Sequence, residues 1–128
     1  MSAPSDGANF WRRVFFSENT LANHVHVLRA LKRARSLVQR GWCKFATAKD
    51  QDGEPVSCRS TRVAKVCALG AIWVATRSTK VRQEARILLA DCNEGMQPSI
   101  TRWNDTEGVT KRQVVSAFTK AIKHLEAK

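Results

Sequence analysis

Cys67 is the side chain of this sequence best placed to do chemistry. The helix expected over residues 64–76 puts it near an amino-terminal end, where the helix dipole favours a thiolate. A nucleophilic cysteine also needs a base, usually histidine. The chain offers His24, His26 and His124. His24 and His26 stand two apart on a helix and point in different directions, and His124 lies in the last turns of the final helix. None has a recognisable catalytic context, so a packed thiol is the expectation. Cys43, Cys58, Cys67 and Cys92 contain no Cys-x-x-Cys pair, and Cys58, Cys67 and a histidine match no standard zinc spacing. Reduced thiols are expected. Trp103-Asn104-Asp105 has two readings. A polar pocket beside the indole would hold a small ligand. Alternatively, Trp103 plugs the core while Asn104 and Asp105 bond nearby backbone. Asp105 has no visible partner as a general base. The glycines match no phosphate-binding or dinucleotide fingerprint. No catalytic residue, metal or cofactor is assigned.

Charge gives a stronger signal. The net charge is +11 over 128 residues, and it is unevenly spread. Residues 1–50 carry nine Lys/Arg against three Asp/Glu, residues 51–90 seven against three, and residues 91–128 six against five. Residues 20–49 contain no acidic residue at all. An ordinary solvated helix face mixes signs and forms i,i+4 pairs. A chain that tolerates this much self-repulsion usually meets a polyanion. Arg29, Lys32, Arg33, Arg35 and Arg40 are the expected contacts, with Arg12 and Arg13 from the segment before them.

The elements that must carry these residues are mostly helical. Residues 1–19 read as a basic and aromatic arm, with Phe10–Phe16 either a hydrophobic anchor or a surface that stacks on a partner. Residues 20–128 read as one domain. Val27, Leu28, Leu31, Ala34, Leu37 and Val38 recur at helical spacing from an Asn19 or Thr20 cap to a Gly41 stop. Arg29, Arg33, Ser36 and Arg40 fall on another face, with Lys32 and Arg35 beside them. A short irregular hairpin can form near residues 42–58 around the Asp50–Gly53 turn signal. The helix over 64–76 would bury Val66, Leu69, Gly70, Trp73 and Val74. Gly70 costs helix propensity, which implies a backbone passing close by. Ser78 or Thr79 caps a third helix that buries Val81, Ala85, Leu88 and Cys92 and ends at Asn93 or Gly95. Residues 98–108 read as a connector. Thr110 and Gln113 form a capping box for a last helix with Val114, Phe118, Ala121, Ile122 and Leu125 inward. The fold class is mainly α, a compact bundle of about four to five helices. No apolar run is long enough to span a membrane. The amino terminus lacks a secretion pattern, so a cytoplasmic location is expected.

Cys67-Ala68-Leu69-Gly70-Ala71, then Trp103-Asn104-Asp105 and the Thr110-capped helix, resemble an uncharacterised domain family of bacteria and their phages. Gly41-Trp42, Asp52-Gly53 and the Val114-Val115 to Ala121-Ile122 pattern belong to the same resemblance, which spans roughly residues 25–125. The chain departs from it in two places. Val66 stands where members often carry an aromatic, and Thr106–Thr110 replaces a Pro-Gly-Arg-Thr run. The resemblance implies no activity.

Three functions follow as expectations. The first is a small non-enzymatic protein, phage- or mobile-element-related, that contacts nucleic acid or a nucleoprotein machine through its cationic face. The second is an interaction module that covers an acidic protein surface, such as a phage-encoded inhibitor acting in the host cytoplasm, with Phe10–Phe16 as its hot spot. The third is a small enzyme or ligand-binding domain built on Cys67, Asn104 and Asp105.

Overall fold

The computed structural model describes residues 20–128. The amino-terminal arm, with Arg12, Arg13 and Phe10–Phe16, lies outside the described residues.

Helix α1, Thr20–Arg40, is the spine. Val27, Ala30, Leu31, Ala34 and Val38 repeat at three- and four-residue intervals, and all are buried. The other long elements pack around this stripe. The helix ends at Gly41, whose N–H still donates to the Leu37 carbonyl at 3.1 Å. Its φ is not left-handed. Glycine is required there because a Cβ would overlap the Ala64 carbonyl oxygen, so the expected cap is a close backbone crossing.

The segment after α1 forms the hairpin. The Asp50 carboxylate accepts from the N–H groups of Asp52 and Glu54, both at 2.9 Å, and closes the turn. Lys49 bridges Pro55. Strand β1, Ala48–Lys49, then pairs antiparallel with β2, Lys65–Val66, beyond the expected span, with Ala48 opposite Val66. Trp42 bridges Val66 from the other side.

This pairing delays the next helix. Lys65 and Val66 are extended in the ladder, so α2 begins only at Ala68 and runs to Ala75, four residues later than expected. Its buried residues are Ala68, Gly70, Ala71, Ile72 and Ala75, while Leu69, Trp73 and Val74 are partly exposed. All eight residues are apolar, so periodicity had no polar face to mark the outside.

Helix α3, Thr79–Cys92, starts at Ser78, whose hydroxyl accepts from the Val81 N–H at 3.2 Å. It buries Val81, Ala85, Leu88 and Leu89, and also Glu84. A 3-10 turn, Glu94–Met96, follows. The expected connector contains a helix, α4, Ile100–Asp105, capped by Ser99. Six residues are too few to show a period in sequence. Helix α5, Lys111–Glu126, carries the full capping box and buries Val114, Ala117, Phe118, Ala121, Ile122 and Leu125. Helices α2, α3 and α5 all pack on α1, and α5 also packs on α3. The domain is therefore mainly helical with one short antiparallel ladder. No described helix is long and apolar enough to cross a membrane.

Candidate functional site

Asn104 is completely buried, and all four of its amide hydrogen-bonding positions are used. Its Oδ1 accepts from Trp42 Nε1 at 2.8 Å and from the Ala68 N–H at 3.0 Å. Its Nδ2 donates to the Cys43 carbonyl at 3.1 Å and to Asp105 Oδ1 at 3.0 Å. Both Oδ1 partners are donors and both Nδ2 partners are acceptors, which fixes the orientation of the amide. One side chain thus joins the end of α4 to the start of α2 and to the segment leaving α1. Trp103 packs against the hydrophobic core from its edge. It is partly exposed and packs against Gly95, where an added Cβ would sit 3.1 Å from the indole. The buried member of the motif is Asn104.

Cys67 is the N-cap of α2, and its Sγ accepts from the Gly70 N–H at 3.2 Å. The thiol is 1% exposed. Burial pushes its pKa up, opposed by the hydrogen bonds from the Gly70 and Leu69 N–H groups. Desolvation therefore outweighs the helix terminus, and the geometry is that of a packed thiol. Cys43 behaves similarly. Burial, then the neighbouring Cys67, raises it to about 11. Gly70 is needed where the Thr47 carbonyl crosses the helix. That oxygen accepts from the Cys67 N–H at 3.1 Å and leaves no room for a Cβ at position 70, as its helix cost implied.

The Asp105 carboxylate, held by Asn104, also reaches a loop residue. Oδ1 accepts from the Phe45 N–H at 2.9 Å. Phe45 has φ 67°, in the left-handed region, and is 75% exposed. That conformation costs a phenylalanine about 1–3 kcal/mol. Next to it, Lys44 Nζ donates to the Thr106 carbonyl at 2.8 Å and lies 5.6 Å from the centroid of the Trp42 ring. Sequence reasoning missed Phe45 and Lys44, because nothing in Lys44-Phe45-Ala46 marks an aromatic held outward.

The cationic residues of α1 divide into two groups. Val25, His26, Arg29, Lys32, Arg33, Ser36, Gln39 and Arg40 are exposed and follow one another at helical spacing along a single face. Arg35 turns away, donating to Thr119 Oγ1 of α5 at 3.2 Å. Lys32 meets Glu126 at 3.1 Å with both side chains about half exposed, an ion pair of little energetic weight in water. Arg29, Arg33 and Arg40 are therefore the sharpest part of the expected set. The face leads at its amino-terminal half into a cleft of about 340 Å³ lined by His26, Arg29, Thr76 and Ser78. Beside that cleft, Arg82 donates to the Thr76 and Trp73 carbonyls at 2.7 and 3.0 Å and stacks 5.3 Å from the centroid of Trp73. It closes the carboxyl end of α2.

Glu84 has no counterpart in the sequence reading. It is 1% exposed, and neither carboxylate oxygen has a hydrogen-bond partner. Burial raises its pKa, opposed by Lys80.

The model of a family of unknown function, DUF6197, matches residues 22–124, and the chain belongs to that family. The match covers the helical domain from α1 into α5. No curated protein and no solved structure matches the chain.

Proposed function

We propose that this member of DUF6197 is a non-enzymatic protein that lays the exposed face of α1 along the phosphate backbone of a nucleic acid. The observation that carries this reading is the composition of that face. Arg29, Arg33 and Arg40 point to solvent from a 21-residue helix that bears no carboxylate. Such a helix is about 30 Å long. Cations spread over that length suit a linear polyanion. They would contact phosphates and sugars, which position a protein on a strand without reading sequence. Cys67, Asn104 and Asp105 fit this reading as scaffold, since their polar atoms are engaged in holding α2, α4 and the loop at Phe45.

The test is capture of partners by the immobilised full chain, with and without nuclease. The reading predicts that nucleic acid is retained before nuclease treatment and that associated proteins are lost after it. An acidic protein retained at full yield after nuclease assigns the face to a protein surface and overturns the reading.

A further inference from the structure

An aromatic side chain held in the left-handed region and turned to water calls for an explanation beyond folding. Phe45 is not packed: it is 75% exposed. Its conformation, φ 67°, is one that a phenylalanine adopts at a cost and a glycine adopts freely. The surrounding structure imposes it. Asp105 grips the Phe45 N–H, and Asn104 holds Asp105. Strain that persists because neighbours over-determine it is characteristic of contact sites.

The surroundings of the ring indicate what it contacts. Lys44 is fixed beside it by the Thr106 carbonyl and the face of Trp42. Lys49 and Lys65 are direct cross-strand neighbours at the base of the same loop, and both bear electrostatically on Cys43. Arg40, the last residue of the cationic helix, lies only five positions before Phe45, a reach of at most about 18 Å. The ring thus stands bare to solvent with Lys44 beside it, and the chain joins it to the carboxyl end of α1 over at most about 18 Å.

We infer that Phe45 is a stacking platform for an unpaired base of a single-stranded nucleic acid whose phosphates are met by Lys44 and the α1 face. This rests on the nucleic-acid reading above and narrows its partner. A duplex keeps its bases stacked on one another and cannot use the ring. A single strand can, because every base offers a π-face to an aromatic side chain.

The test compares binding of a fluorescein-labelled single-stranded oligothymidine with binding of a duplex of equal length, at low salt. Phe45→Ala weakens single-strand binding by roughly five- to a hundredfold, leaves duplex binding within about twofold, and does not lower the melting temperature, while Phe45→Trp retains single-strand affinity. Single-strand affinity unchanged in Phe45→Ala, with Arg33→Ala weakening both ligands, overturns the platform and leaves the phosphate reading standing. Failure of the wild-type chain to bind either oligonucleotide overturns both. Phe45-dependent binding of poly-glutamate without oligonucleotide binding assigns the tip to an acidic protein and also overturns both.

Discussion

The Asp105 carboxylate accepts a hydrogen bond from the backbone N–H of Phe45 at 2.9 Å, across sixty positions of sequence. It anchors the loop at a residue whose conformation is unfavourable on its own. Phe45→Gly therefore raises stability, by about 1 kcal/mol, since glycine takes this φ freely and the exposed ring contributes little packing. Thermal unfolding of the two proteins checks it. Asp105→Ala goes the other way, because the Phe45 N–H loses its acceptor and Asn104 Nδ2 loses one of its two.

Asn104→Ala strands Trp42 Nε1, the Ala68 N–H and the Cys43 carbonyl together. At about 1–3 kcal/mol for each buried polar group left unpaired, the total loss is at least about 3 kcal/mol. Adding Trp42→Phe removes one stranded donor. The double variant is accordingly more stable than the sum of the two single losses predicts, as urea unfolding of all four proteins would show.

Gly70→Ala forces a methyl group into the Thr47 carbonyl, which also accepts from the Cys67 N–H. Helix propensity alone favours alanine by about 1 kcal/mol. Overlap with backbone wins, because neither the loop nor α2 can shift without breaking that bond. The expected outcome is a net loss of about 1–3 kcal/mol, read from the urea midpoint.

Glu84 makes stability depend on pH in a definite direction. Burial raises its folded pKa above the ordinary 4.5. Its contribution is thus fully present below that value and is lost as pH rises through the folded pKa. Glu84→Met removes the titration and fills similar space. The variant gains on the wild type progressively as pH rises from about 4 towards 8. Melting temperatures of both proteins across that range check it, and a gain that does not change with pH counts against a buried ionising carboxyl.

Much of this architecture is written locally. Helices α1 and α5 are long enough to show a stripe, and Ser78, Thr110 and Gln113 mark starts that depend only on residues three positions away. The expected cationic residues of α1, apart from Arg35, fall on its exposed side for the same reason. What escaped depends on partners far along the chain. The start of α2 is set by Lys65–Val66 joining a ladder with Ala48–Lys49, and cysteine is not a usual helix cap. The role of Asn104 comes from Trp42, Cys43 and Ala68. Phe45 adopts a conformation that its own residue type disfavours. Glu84 sits on a helix face with Val81 and Leu88, where a charged residue reads as the edge of the buried stripe.

The most direct measurement of the central claim is the salt dependence of oligonucleotide binding by the wild-type chain and by Arg29→Ala, Arg33→Ala and Arg40→Ala, with melting temperatures as the control for folding. The predicted result is a linear fall of log affinity with log salt. Each replacement makes the slope shallower by about 0.7–0.9 for every phosphate that the variant leaves unneutralised, and stability is unchanged. Affinity that ignores added salt, or slopes identical in all four proteins, would contradict the assignment of this face to a phosphate backbone.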